Sequence, residues 1–290
     1  MHYRVEEAAD GTVTLRAEHA EGARRVTFAP FRGALVTQFS AGNTEYLALD
    51  EATFRDPSAN VRGGIPVLFP FPGRLDRDRY LARGRPFVLS QHGFARKRAF
   101  TEVARRSDDA AAMTVALEDD AETRAVYPYR FRLTLDVALT DRLTLTTTVE
   151  NRDSVPLPWA LGFHPYFAIP NAEKGALSVA HEADRAWDNV GRRIVAAEPL
   201  QFTPTTETDL HLLDDRSATK VLRRGGDDVP WLELTVSDAR PAWVFWSVPH
   251  KDFVCVEPWT APGNALQNGD RVALLAAGAT ARHTFTLLPR

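Results

Sequence analysis

Apolar and polar residues alternate along much of the chain with the period of a β-strand. In RFRLTLDVAL (130–139), Phe131, Leu133, Leu135, Val137 and Leu139 fall on one face while Arg130, Arg132, Thr134 and Asp136 fall on the other. RLTLTTTVEN (142–151) repeats the pattern, with only Thr140 and Asp141 between the two runs. The pair predicts an antiparallel hairpin whose threonine-rich second strand suits a pleated surface. Further strands are predicted over 12–18, 24–29, 34–40, 231–237, 243–248, 253–257 and 282–288. Helical periodicity is confined to one short stretch near Asp119–Val126, stopped by Pro128. Glycine and proline punctuate the chain throughout, with no linker, low-complexity segment or repeat period. The pattern predicts an all-β protein, most simply a large antiparallel β-sandwich with few short helices formed as one domain over residues 1–290, with two β domains as the alternative.

Composition fits a chain able to bury a sizeable core: 290 residues, 44% of them hydrophobic. The 35 basic and 38 acidic residues leave a formal net charge of −3. They are spread along the chain, so no nucleic-acid or anionic-membrane partner is expected. The single cysteine, Cys255, excludes an intramolecular disulfide and a multi-cysteine zinc site. With no apolar signal core near the N-terminus, a cytoplasmic location is expected. The uncharged run from Val155 to Ala172 approaches membrane-spanning length, but its four prolines would break a helix repeatedly, so it reads as buried loop and strand.

Three regions depart from the surface-strand pattern by setting ionisable residues among apolar ones: RGGIPVLFPFPGRL with SQHGFARKRAF, ALGFHPYFAIP, and FVCVEPWTAPGNAL. Phe253–Val256 would deliver Glu257 to a strand end beside Trp259, where desolvation raises a carboxylate's pKa toward neutrality. His164, between Phe163 and Pro165, can hold or deliver a proton. His92 precedes Gly93 in a turn near Arg96. Phe69, Phe71, Trp159, Tyr166 and Trp259 offer rings for an apolar or sugar ligand. The bland readings are a hydrogen-bonded core histidine for His164, an arginine-paired strand-end carboxylate for Glu257, a tight turn for Gly63–Gly64, an inert core thiol for Cys255 and solvated charge for Arg74–Arg85 and Arg96–Arg98. HExxH, paired-cysteine, P-loop and GxSxG motifs are all absent. A metal held by His92, His164 and Glu257 has no positive support in the spacing, and none is expected.

RGGIPVLFPFPGRL, HGFAR, NRDSVPLPWALGFHPYF and VCVEPWTAPGNAL, in that order between residues 62 and 266, resemble the motifs of aldose 1-epimerases, or mutarotases. The resemblance implies a galactose mutarotase-like supersandwich and a small-molecule sugar substrate, interconverted between α and β anomers without cofactor or metal. Glu257 would take the proton from the anomeric hydroxyl and His164 would protonate the ring oxygen. The two would stand on opposite sides of the hemiacetal. His92 would assist near the ring oxygen, and Arg74 would hold sugar hydroxyls. An aspartate in LLDDRSATKVL, Asp214 in preference to Asp215, would do the same. Gly73 and Phe100 depart from the asparagine and tryptophan common in relatives. The alternative within the same chemistry is a hexose-6-phosphate epimerase, with Arg62 and Arg96 on the phosphate; GFHPYF and VEPWT look more like the free-sugar branch. From a different class, a non-catalytic carbohydrate-binding sandwich would share the pocket without needing both Glu257 and His164. The sequence leaves the oligomeric state open.

Overall fold

The alternating stretches form strands close to where the pattern predicts them. The structure, a computed structural model, describes residues 2–19, 22–198, 200–225 and 229–290. In the predicted hairpin, Phe131–Leu139 pairs with Leu143–Asn151 in the register Phe131↔Asn151 to Leu139↔Leu143. Arg142 thus joins Thr140 and Asp141 in the turn, making it one residue longer than expected. The predicted helix spans Ala121–Val126. Asp120 caps it by accepting from the Thr123 N–H at 2.7 Å, while Thr123 Oγ1 accepts from the Asp120 N–H at 2.8 Å.

The strands gather into three large antiparallel sheets. The first is a sequential meander of His2–Glu7, Val13–Glu18, Arg24–Ala29, Leu35–Ala41 and Thr44–Glu45. The second has eight strands, in the order Ser178–Val179, Thr219–Arg224, Val229–Val236, Thr280–Pro289, Leu143–Asn151, Phe131–Leu139, Ala111–Glu118 and Thr101–Arg106. The third runs Arg193–Ala196, Arg185–Asp188, Thr208–Leu212, Ala242–Ser247, Phe253–Trp259, Gly162–Phe163 and Val67–Leu68, with Tyr166–Ala168 also pairing on Phe253–Trp259. One continuous apolar cluster draws Phe28 and Phe39 from the first sheet, Leu135 and Phe285 from the second, and Phe163, Phe245 and Val256 from the third. This is an antiparallel β-sandwich.

The third sheet has two unlike faces because side chains alternate along each strand. Phe163, Phe245 and Val256 enter the core, where Phe163 stacks on Phe285 with ring centroids 5.2 Å apart. Their sequence neighbours His164, Val244, Trp246 and Glu257 line a cavity on the other face. The uncharged 155–172 stretch contributes the short strands Leu157–Trp159, Gly162–Phe163 and Tyr166–Ala168. Among the described residues, no helix is long and apolar enough to cross a membrane.

Candidate active site

Strand register assembles the cavity floor. Trp187 pairs with His211, His211 with Val244, and Val244 with Glu257. A second row runs from Asp209 through Trp246 and Cys255 to Tyr166. Gly162 opposes Trp259 and Tyr166 opposes Cys255, so the same antiparallel count sets His164 across from Glu257. The ladder is held open there by Pro165, which has no N–H to donate. The His164 N–H donates instead to the Pro66 carbonyl at 3.1 Å, and that of Tyr166 to Gly64 at 2.9 Å. RGGIP therefore runs alongside and leads into the neighbouring strand Val67–Leu68. Gly64, at φ 64°, permits this: a Cβ there would lie 2.2 Å from the Val36 carbonyl oxygen.

His164 Nε2 lies 3.4 Å from Glu257 Oε1, and both side chains are buried. The two groups stand side by side on one sheet face, rather than facing each other across the cavity. Trp259 Nε1–H donates to Glu257 Oε2 at 3.1 Å. The Tyr166 ring lies parallel to the His164 imidazole at 4.7 Å, and Trp246 meets it edge-on at 5.5 Å. Burial pushes the Glu257 carboxyl well above its ordinary range, with the nearby Asp209 charge acting in the same direction. Burial also pulls His164 down to about 3, with the Arg96 charge reinforcing it. Burial thus favours the uncharged form of both groups, the carboxylic acid of Glu257 and the neutral imidazole of His164.

His92 is fixed by its own turn. Its backbone N–H donates to the Gly73 carbonyl at 2.7 Å, and its ring Nδ1 accepts from the Gly73 N–H at 3.0 Å. Nδ1 is thus the acceptor, which leaves the proton on Nε2; the atom 3.2 Å from it, Gln91 Nε2, is itself a donor and does not take that proton. Burial holds this histidine neutral as well. Its ring centroid is 5.6 Å from that of His164.

The fold brings Glu257, His164, His92, Arg62, Arg74 and Arg96 to one cavity of about 880 Å³. Arg96 packs beneath Gln91, donating to its carbonyl at 3.0 Å, and its charge reaches Glu257. The Arg62 guanidinium lies over the Trp246 ring at 5.8 Å. Arg74 is at the mouth, largely exposed and 3.9 Å from Asp78. Arg96 and Arg74 thus belong to the cavity, not merely to the solvated charge around it.

Asp214 lies away from the cavity. Its carboxylate accepts from the backbone N–H groups of Asp184 and Arg185 and from Arg185 Nε at 3.2 Å, so it is consumed in holding a turn. Asp215 is buried against Lys220 Nζ at 2.9 Å. Two aspartates do line the cavity, Asp76 and Asp209; Asp209, on the floor strand Thr208–Leu212, accepts from His211 Nε2 at 3.0 Å and Asn189 Nδ2 at 2.8 Å. Motif likeness drew attention to the paired aspartates, although the period-two series Glu207, Asp209, His211 carried a usable signal. Polar residues at alternate positions of a strand whose other face is apolar mark a wet face. Cys255, expected to be an inert core thiol, is fully buried in an apolar cluster with Tyr166 and Phe253, on the same strand face as Glu257 two residues on.

The family model for aldose 1-epimerase matches residues 18–288. An Escherichia coli (strain K12) protein named "putative glucose-6-phosphate 1-epimerase" is 25% identical over 252 residues, covering 80% of this chain and 79% of its own length. Among solved structures, the Slr1438 protein from Synechocystis sp. PCC 6803 superposes with a TM-score of 0.89 at 28% identity, covering 95% of this chain and 94% of that one. A galactose mutarotase-like protein from Lactobacillus casei ATCC 334 shares the fold, with a TM-score of 0.75 at 22% identity over 96% and 100% of the two chains. With nearly the whole chain matched and the same sandwich architecture, the protein belongs to the aldose 1-epimerase family.

Proposed function

We propose that this chain interconverts the α and β anomers of a free aldose by acid-base ring opening and reclosure. The observation that carries the reading is the buried pair of His164 and Glu257, 3.4 Å apart on the floor of a cavity lined by Tyr166, Trp187, Trp246 and Trp259. The anomeric hydroxyl and the ring oxygen are bonded to the same carbon, so an acid and a base standing side by side can each reach one of them. Glu257 as carboxylate removes the hydroxyl proton while His164 as imidazolium protonates the ring oxygen. The bond from C1 to the ring oxygen breaks, its electron pair passes to that oxygen, and C1 becomes an aldehyde.

Ring opening leaves Glu257 protonated and His164 neutral, the forms that burial favours. Rotation about C1–C2 and the reverse transfers close the ring on the other face. The pair carries one proton throughout, so no exchange with bulk water is needed during a turnover. His92, a neutral donor at Nε2, assists at the ring oxygen. Arg96, Arg62 and Arg74 orient hydroxyls, and Asp209 takes the hydroxyl-binding part first expected of Asp214.

A second reading, in which the sugar carries a 6-phosphate, is favoured by five arginines on the cavity wall: Arg62, Arg74, Arg77, Arg96 and Arg192. The name of the Escherichia coli relative points the same way. The deciding experiment follows the approach to anomeric equilibrium of fresh α-glucose, α-galactose and α-glucose 6-phosphate by polarimetry or NMR. Acceleration of a free sugar supports the first reading, and acceleration confined to the phosphate supports the second. Sugar binding with no acceleration of any of them supports a binding module instead.

A further inference from the structure

The cavity floor and the buried layer beside it carry a donor set that proton transfer does not use in full. Cys255 and Glu257 are two residues apart on one strand and so project from the same face, with His164 across from Glu257. One ligand atom from each of the three lies within 4.8 Å of the other two. Glu257 Oε2 is engaged by Trp259, whereas Oε1 faces His164 Nε2 at 3.4 Å. Two ligands bonded at about 2.0–2.1 Å to a tetrahedral ion stand about 3.4 Å apart, so this edge already has the right length. A thiolate bonded at about 2.3 Å would stand about 3.5 Å from the imidazole nitrogen, which asks for a shift of at most about 1.3 Å. His164 Nδ1 is buried and has no hydrogen-bond partner among the described residues, so no second bond to that nitrogen ties the ring in place.

We propose that Cys255, His164 and Glu257 form a site for a thiophilic divalent cation of the Zn²⁺ class, and that its occupation switches the cavity off. One sulfur, one nitrogen and one oxygen donor suit zinc or cadmium and not magnesium or calcium, which take oxygen shells. The cavity side supplies a fourth position for water. The cation displaces the thiol proton and the carboxyl proton to solvent, and its bonds occupy Nε2 and Oε1, the atoms assigned to the sugar. Inhibition therefore rests on the proposed roles of His164 and Glu257, whereas cation binding does not.

The test measures Zn²⁺ uptake directly, by competition with a chromophoric chelator, in wild type and in folded Cys255→Ser and Cys255→Ala variants. Each protein's turnover is normalised to its own rate in excess chelator. The expected result is one Zn²⁺ per wild-type chain at micromolar free ion, turnover lost in proportion to occupancy, and at least tenfold weaker uptake in both variants. Mg²⁺ should have no effect. Co²⁺ bound to wild type should show a thiolate-to-metal absorption band, which holds the proposal to account even if neither variant folds. No uptake, equal uptake in the variants, or a Co²⁺ spectrum without thiolate character would overturn the site. Stoichiometric binding that leaves turnover intact would overturn the switch. Binding through Cys255 in a protein that accelerates no sugar would keep the cation site and remove the epimerase reading.

Discussion

Glu257 is a residue whose burial has measurable thermodynamic consequences. Its folded-state pKa is raised above the ordinary 4.5, so between those two values the native chain holds a proton that the unfolded chain releases. Stability falls as pH rises through that window, by about 1.4 kcal/mol per pH unit while the two states differ by one proton. Glu257→Gln has nothing to ionise and can still accept from Trp259. Its melting temperature should exceed that of wild type by a margin that grows as pH rises from 4.5; a constant or negative margin would mean the carboxylate is well solvated. The same shifts set the rate profile. The pair gains a second proton only near His164's value of about 3, and loses its proton at Glu257's raised value. With chelator present, turnover should hold as pH drops from 6.5 to 4.5, whereas an acid limb at 6.5 would indicate a hydrated, ordinary imidazole. Asp209 and Asp214 separate cleanly at this scale too: Asp209→Asn should raise KM about tenfold or more through a lost charge-assisted bond, while Asp214→Asn leaves KM near wild type.

At the scale of elements, the cavity wall depends on how one loop is pinned. Residues 50–62 leave and rejoin the sheet through a bond from the Asp50 N–H to the Arg62 carbonyl, 2.9 Å, and the short helix Glu51–Arg55 lies between. The buried Arg32 guanidinium fills the middle of this loop, donating to the carbonyls of Thr53, Asp56, Pro57 and Ala59. Those carbonyls lie just before Asn60 and Arg62 on the cavity wall. Arg32→Gln should therefore cost about 1.5–3 kcal/mol and raise KM more than it lowers kcat, because it moves a binding segment and leaves the His164–Glu257 pair in place. A kcat loss with KM unchanged would contradict that placement. Much at this scale was legible in the sequence. Alternation found the hairpin and seven further strands but not Ala111–Glu118 or Thr101–Arg106, and the stretch near Asp119–Val126, stopped by Pro128, marked the one helix expected. The short strands around His164 and the loop clamped by Arg32 were not, because long-range backbone pairing and buried carbonyls leave no local period.

For the whole molecule, the sandwich explains why the candidate residues come from distant parts of the chain. The third sheet keeps one face for the shared core and leaves the other to the cavity, and antiparallel register converts sequence positions as far apart as 164, 209 and 257 into two short rows. Four ordered motifs announced the fold and most of the cavity. They misplaced the aspartate, since Asp214 and Asp209 differ by five residues but lie on a turn and on a strand face respectively. The central claim is that one buried proton pair opens and closes a sugar ring. Its most direct test compares wild type with Glu257→Gln, measuring anomer exchange and sugar affinity on the same samples. The account predicts exchange reduced about 10²–10⁴-fold with affinity within a few-fold of wild type. Exchange at the wild-type rate in a folded Glu257→Gln protein would contradict it.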